Sequence, residues 1–112
     1  MSKFDIYQKV KYDEAIMWEV VFTHKAAKQT EQLNTAVLSA LRLLVEDLIN
    51  KGPSLANGWP NYGKLVGKKN EDKRHCHLVK GKPTYVCCWK VVDKKIKLIE
   101  VYYVGTHESA PY

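Results

Sequence analysis

The sequence predicts an α+β fold in which a helical hairpin packs on one face of a twisted, mainly antiparallel sheet. Three observations lead to this prediction: one strand-like segment comes first, two helix-forming segments follow it, and three strand-like segments come last. Helices gathered early and hairpin-linked strands gathered late are typical of α+β folds rather than of alternating βα units. The sheet face that no helix covers is then free to hold a functional site.

Residues 17–112 are predicted to form a single domain, preceded by an N-terminal extension over residues 1–16. A chain of 112 residues is long enough for one hydrophobic core, and 46% of its residues are hydrophobic, which is far from the composition of disordered chains. The extension mixes Lys, Asp, Gln and Tyr without a clear period. It is therefore set apart from the predicted core.

The first strand and the two helices are predicted from composition and spacing. The β-branched and aromatic segment "MWEVVFT", residues 17–23, favours a strand, and "HKAAKQTEQL", residues 24–33, favours a helix. Asn34 or Thr35 can cap the second helix, and Gly52 with Pro53 ends it. Apolar residues recur on one face of that helix: Val37, Leu38, Leu41, Leu44, Val45, Leu48 and Ile49.

Three further strands are predicted after a long connection over residues 54–72. They are "KRHCHLV" (73–79), "TYVCCWKVV" (84–92) and "IKLIEVYYVG" (96–105), and short turns separate them. The connection is rich in Gly, Pro, Asn and Lys, and long connections in compact domains are often functional. The predicted order is one N-terminal strand, a helical hairpin and a three-stranded antiparallel meander.

The chain is basic, with 18 Lys and Arg residues against 12 Asp and Glu residues, and its formal net charge is +6. This charge suits a polyanion such as nucleic acid, and equally an acidic protein partner. No signal-peptide pattern is present, and no apolar run approaches the roughly 18 residues of a membrane span. We expect a soluble, cytoplasmic protein without membrane contact, in which Cys76, Cys87 and Cys88 are buried free thiols.

Three histidines are the candidate chemical groups: two in "RHCH", residues 74–77, and one in "GTHESAPY", residues 105–112. Alternate side chains of a strand share a face, so His75 and His77 point to one side and Cys76 to the other. This pattern lacks the ligand spacing of a zinc site, and we predict no metal and no other cofactor. The histidines are either ordinary sheet residues or a general acid and base, since histidine titrates near neutral pH.

Histidines on a basic surface suit the cleavage of RNA by its own 2′-hydroxyl group. This reaction needs a base, an acid and cations that stabilise the charged phosphorane, but no metal. Trp89, in a central strand, is better explained as a core residue. The predicted RNA-binding residues are cations near the histidines and one aromatic residue that can stack on a base: Lys64, Lys73, Arg74, Lys80, Lys82 and Trp59.

The order of elements resembles that of the RelE/ParE superfamily of bacterial toxin–antitoxin toxins. The segments "KRHCHLVKGKPTYVCCWKV" and "IEVYYVGTHESAPY" are similar to the YafQ-type branch of ribosome-dependent mRNA interferases. The resemblance covers about residues 18–112. Its most specific parts are the Cys-His strand and the Gly-Thr-His segment.

The resemblance implies catalytic roles for His75, His77, His107 and Tyr112. His77 and His107 match the YafQ-type histidines, which serve as base and acid or stabilise the transition state. His75 and His77 also fall where RelE has two lysines, and Tyr112 lies close to the position of a terminal aromatic that orients the nucleotide. Three features depart from the pattern: residues 80–83 lack the YafQ-type Asp-Trp, Val86 stands where RelE has an arginine, and the aromatic Tyr112 is offset by about one residue.

The function implied by the resemblance is that of a metal-independent endoribonuclease that cleaves mRNA in the ribosomal A site and blocks translation. Its implied partners are an acidic or amphipathic antitoxin, ribosomal RNA and mRNA, without DNA binding by the toxin alone. Two alternatives stay open: a ParE-like toxin that poisons DNA gyrase without catalysis, and an inactive family member that binds antitoxin or RNA. ParE-like chains lack the histidine set, which favours the nuclease.

Overall fold

The computed structural model describes residues 17–54, 58–66 and 70–112, so the predicted extension over residues 1–16 lies outside the described residues. A 3-10 turn over His107–Ser109 follows the last strand. In chain order the elements are β1 (Glu19–Phe22), α1 (His24–Thr30), α2 (Thr35–Lys51), β2 (Gly63–Lys64), β3 (Asp72–Val79), β4 (Tyr85–Asp93) and β5 (Leu98–Thr106). The α+β class predicted from the sequence is therefore confirmed.

The sheet differs from the prediction in one strand and in one pairing. Its order is β1-β5-β4-β3-β2, and the two-residue strand β2 lies within the segment that was predicted to be a connection. β1 pairs with β5 in parallel, with Val20 opposite Ile99, whereas the other neighbours are antiparallel. A two-residue strand has no periodicity that a sequence can reveal, and strand pairing is not encoded in the spacing of one strand.

Local hydrogen bonds and one glycine determine where the two helices begin and end. Oγ1 of Thr23 accepts the N–H of Ala26 at 3.0 Å, and Oδ1 of Asn34 accepts the N–H of Val37 at 3.0 Å, so each helix has a side-chain N-cap. α1 ends at Thr30, earlier than predicted, because the next three N–H groups bond to carbonyls three residues back. Gly52, at φ 84°, ends α2.

The main core lies between the helices and one face of the sheet. Leu41, Leu44 and Leu48 of α2 are fully buried against it. The sheet contributes Cys76, Leu78, Cys87, Trp89, Ile99 and Val101 to the same cluster. Trp89 is completely buried, and all three cysteines are buried and free, which confirms these expectations.

A second, smaller apolar cluster lies on the opposite face of the sheet. It consists of the buried residues Val86, Cys88 and Tyr103, and Leu65, Tyr102 and Ala110 pack against it. None of these residues belongs to α1 or α2; Leu65 follows β2, and Ala110 belongs to the C-terminal segment. No helix in the described ranges has the length and apolar character needed to cross a membrane.

Candidate functional site

Four aromatic rings gather on the sheet face that the helices leave open. The ring centroids of His75 and His77 are 6.4 Å apart, and those of His77 and His107 are 5.5 Å apart. The Tyr112 ring lies 4.9 Å from His75 and 5.9 Å from His107. The structure therefore brings all four predicted catalytic residues together in one cluster, which we call the ring cluster.

The two histidines of β3 are positioned by the loop that precedes it. Gly63 of β2 lies opposite His75, and a Cβ atom at Gly63 would stand 3.8 Å from the His75 ring. The N–H of His77 donates to the carbonyl of Pro60 at 2.8 Å. This loop therefore fixes the backbone on which both imidazoles are mounted.

His107 and Tyr112 reach the ring cluster because the chain turns back at the end of β5. The N–H of His107 donates to the carbonyl of Thr84 at 2.8 Å, which ties the 3-10 turn to the start of β4. The N–H of Ala110 then bonds to the carbonyl of His107 at 3.2 Å. Tyr112 is 50% exposed, so one side of its ring can meet a ligand.

A cleft of about 600 Å³ opens beside the ring cluster. One wall is the β3–β4 turn, and the other is the start of the 3-10 turn. The lining residues are His77, Gly81, Lys82, Pro83, Thr84, His107 and Glu108. The cleft is within the size range of small-ligand sites, and two imidazoles, a lysine and a carboxylate converge on it.

The environment of two of the imidazoles disfavours their charged form. Burial lowers the pKa of His75, the backbone of Gly63 opposes this effect, and the charge of His107 adds to it. The pKa of His77 is lowered first by burial and then by the charges of His107, His75 and Lys80. Both rings therefore favour the neutral state, in which an imidazole can accept a proton.

Atom Nδ1 of His75 is buried and has no hydrogen-bond partner in the described ranges. Nε1 of Trp89, in the core, is the other such atom in these ranges. Buried polar atoms without partners are rare in folded proteins, and a ligand, a water molecule or a catalytic role can account for them. The position of the His75 atom beside Tyr112 makes the ring cluster the best candidate site in the described structure.

The cysteine thiols are not nucleophiles in this fold. Burial raises the pKa of Cys76 and of Cys87 well above the ordinary thiol value, and raises that of Cys88 to about 12. A thiol must ionise to attack, so these groups stay inert at neutral pH. In residues 17–54, 58–66 and 70–112, no group of three or more His, Cys, Asp or Glu side chains is arranged to hold a metal ion.

The predicted RNA-binding lysines lie at different distances from the ring cluster. Lys82 lines the cleft, and the charge of Lys80 acts on His77. Lys73 pairs with Glu71 at 3.1 Å and lies 5.2 Å above the Tyr102 ring, on the same face of β3 as the histidines. Lys64 is exposed and lies 3.9 Å from Asp72.

The Arg74 and Trp59 side chains lie away from the ring cluster, and their role in RNA binding stays a prediction. The Arg74 side chain is only 13% exposed. It donates two hydrogen bonds of 2.9 Å to Asp72, and its Nη1 also donates to Ser54 and Tyr62. Alternation along β3 explains the placement of Arg74, because it shares a face with Cys76 rather than with the histidines.

The Trp59 side chain is held by α2. Its Nε1 donates to Asp47 of that helix at 2.7 Å.

Replacing Arg74 with Met is expected to lower the free energy of unfolding by about 1–3 kcal/mol, because Asp72 loses a paired, hydrogen-bonded cation. The Arg74 hydrogen bond lowers the pKa of Asp72 below its ordinary 3.8. The pair therefore stabilises the fold above that value, and the stabilisation is lost as pH falls through the lowered pKa. Urea unfolding at decreasing pH should show the difference from wild type shrinking.

The adjacent substitution Lys73→Met is the matched control, since the Lys73–Glu71 pair is more exposed and should contribute below about 1 kcal/mol. Equal losses in the two variants would contradict the anchoring role of Arg74.

Sequence reasoning missed three residues of the site. Thr84 holds the backbone of His107, Pro60 holds the backbone of His77, and Glu108 lines the cleft. Glu108 directly follows His107, so its closeness to the site could have been inferred from adjacency. The contacts of Thr84 and Pro60 are made by backbone atoms, which leave no signal in side-chain patterns.

Comparisons with known proteins identify the fold. No family model and no curated protein matches the chain. Among solved structures, it is similar to the RelE chain of the archaeal RelE-RelB complex from Pyrococcus horikoshii OT3, with a TM-score of 0.66 and 18% identity over 84% of this chain and 99% of that chain. The intact E. coli RelBE toxin-antitoxin complex gives a TM-score of 0.46 and 20% identity over 80% of this chain and 94% of that chain. The first similarity shows that the chain has a RelE-like fold.

Proposed function

We propose that this chain is the toxin of a toxin–antitoxin system and acts as a ribosome-dependent mRNA endoribonuclease of the YafQ type. The observation that carries the proposal is the ring cluster, in which three imidazoles and a tyrosine gather on the open face of the sheet and two of the imidazoles, His77 and His107, line one cleft. The RelE-like fold supports the toxin class. The basic charge of +6 supports an RNA target.

The proposed reaction is attack of the ribose 2′-oxygen on the adjacent phosphorus. His77 takes the proton of the 2′-hydroxyl group, the new P–O2′ bond forms, and the P–O5′ bond breaks. His107 gives its proton to the departing 5′-oxygen, which leaves a 2′,3′-cyclic phosphate and a 5′-hydroxyl end. The closeness of the two rings supports an acid and base pair, because neighbouring imidazoles resist being charged together. The lowered pKa of His77, caused first by burial, favours His77 as the base.

The remaining members of the site orient the substrate and stabilise charge. Lys82 lines the cleft and is the cation placed to stabilise the phosphorane. Tyr112 is half exposed and offers a ring on which a base can stack. The centroid of the His75 ring lies 4.9 Å from that of Tyr112 and 6.4 Å from that of His77. Val86 is fully buried opposite His77, and Lys82 therefore supplies the cationic group that an arginine provides in RelE.

The proposed partners follow from the same class. The similar archaeal RelE chain was crystallised with RelB, and we propose that an antitoxin of opposite charge binds this chain in the cytoplasm. The ribosome is proposed to hold the mRNA in the cleft, with ribosomal RNA on the basic surface around Lys64, Lys73 and Lys80.

Induction of the wild-type chain in bacteria, with mRNA 5′ ends mapped by primer extension, tests the proposal. We expect growth arrest together with new mRNA ends in register with the reading frame, because cleavage occurs on translating ribosomes. Growth arrest with intact mRNA would instead indicate a ParE-like gyrase poison. Intact mRNA without arrest would indicate a non-catalytic binding protein.

A further inference from the structure

We propose that the Glu108 carboxylate selects guanine as the base held in the cleft, beside the bond that is cleaved. The inference rests on the proposed function, since it names the nucleotide that the same cleft accepts. Glu108 is exposed at the start of the 3-10 turn and lines the cleft next to His107. Neither the sequence motif nor the proton-transfer scheme gives it a task.

The polar groups of the cleft leave Glu108 as the group available to a base. The hydroxyl of Thr84 is already engaged, because it donates to the carbonyl of Gly81 at 3.0 Å and accepts the Gly81 N–H at 3.3 Å. His77 and His107 are required at the reacting oxygens, and Lys82 suits a phosphate. The Glu108 carboxylate makes no hydrogen bond or ion pair within the described ranges, and it is the one carboxylate among the lining residues.

A free carboxylate recognises a pair of donors, because both of its oxygens only accept hydrogen bonds. Guanine is the base whose Watson–Crick edge offers two adjacent donors, the N1–H and the exocyclic amine. Adenine and cytosine place one amine beside a bare ring nitrogen, and uracil flanks its single N–H with two carbonyls. Each of these three bases would therefore place a hydrogen-bond acceptor opposite a carboxylate oxygen, and two acceptors facing each other repel.

The shape and charge of the cleft agree with a selective nucleotide site. Its volume of about 600 Å³ has room for one nucleotide, and the Pro83 ring on the opposite wall can pack against a base. A carboxylate near an RNA backbone repels every nucleotide alike, so it lowers general affinity. The Glu108 carboxylate can therefore contribute selectivity but not general affinity, because it hydrogen-bonds one base and repels the acceptors of the others.

Nucleotide binding to the isolated chain tests the inference without the ribosome. Guanosine, inosine and adenosine 3′-monophosphates are titrated at millimolar concentration while the histidine ring signals are followed by NMR. We expect guanosine to bind about tenfold more tightly than adenosine, with inosine between them because it lacks the exocyclic amine. Glu108→Gln should remove the preference for guanine, since its amide donates where the carboxylate accepts, and should favour adenine instead.

Glu46→Gln is the matched control, because it makes the same change of charge on the exposed face of α2; it should keep the guanine preference. Equal binding of the three nucleotides to wild type, no binding at all, or an unchanged preference in Glu108→Gln would each overturn the inference. Guanine-selective binding without mRNA cleavage would reject the proposed nuclease alone. Cleavage without guanine preference would reject the role of Glu108 alone.

Discussion

Alanine at His77 or at His107 is expected to reduce mRNA cleavage on the ribosome by about 10²–10⁴-fold, the usual contribution of a general acid or base. The two ring centroids are 5.5 Å apart, and both side chains line the cleft. Without His77 no side chain accepts the proton of the 2′-hydroxyl group, and without His107 none donates a proton to the 5′-oxygen. Single-turnover cleavage of a short mRNA on purified ribosomes measures the loss directly.

The matched control for these substitutions is His24→Ala. His24 is the exposed first residue of α1 and makes no contact with the ring cluster. Cleavage should stay at the wild-type rate in this variant, and thermal unfolding should show all three variants folded. Wild-type cleavage by both His77→Ala and His107→Ala would refute the catalytic assignment, whatever the state of the RelE-like fold.

The pH dependence of cleavage gives an independent test of which histidine is the base. His77 must be neutral to accept a proton, and its pKa is lowered by burial and by neighbouring charges. The rate should therefore rise with pH through a value below the ordinary 6.5 of histidine, and it should be lost on the acidic side of that value. If the rate instead rises with a midpoint at or above pH 6.5, His77 is not the base.

The sequence predicted most successfully the parts of the fold that depend on local periodicity. The apolar spacing of α2 placed Leu41, Leu44 and Leu48 on one face, and the structure buries all three. Alternation in β3 placed Cys76 towards the core and the histidines on the open face. In these elements the spacing of apolar residues matches the side chains that are buried, because a helix or strand turns its apolar face towards the core.

Long-range pairing is where sequence reasoning had least to use. The parallel pairing of β1 with β5 joins residues nearly eighty positions apart, with Glu19 opposite Leu98. No local pattern encodes such a choice, which is decided by how the helical hairpin returns the chain to the sheet. The short strand β2 was missed for a different reason, because its two residues, Gly63 and Lys64, have no strand preference of their own.

The candidate site shows the same division between local and distant information. The common face of His75 and His77 follows from alternation, whereas their closeness to His107 depends on β4 lying between β3 and β5. Arg74 obeys the same alternation: it lies two residues before Cys76, so its side chain is on the face of β3 opposite to the histidines. Strand alternation is therefore a better guide than closeness in sequence to which side chains share a face.

Alanine at Leu41 or at Leu44 is expected to lower the free energy of unfolding by about 2–5 kcal/mol, which is the range for a leucine removed from a packed core. Both side chains are completely buried between α2 and the sheet. Each substitution deletes apolar contacts and leaves a cavity that a helix packed on a sheet can close only in part. Urea unfolding followed by fluorescence or circular dichroism measures the effect.

The neighbouring substitution Leu43→Ala separates burial from helix propensity. Leu43 lies on the same helix and is 59% exposed, so its replacement by alanine should change stability by less than about 0.5 kcal/mol. A loss equal to that of Leu44→Ala would mean that the outer face of α2 is also packed in solution, for instance against a second chain. The contrast between two adjacent leucines thus tests directly which face of α2 forms the core that supports the ring cluster.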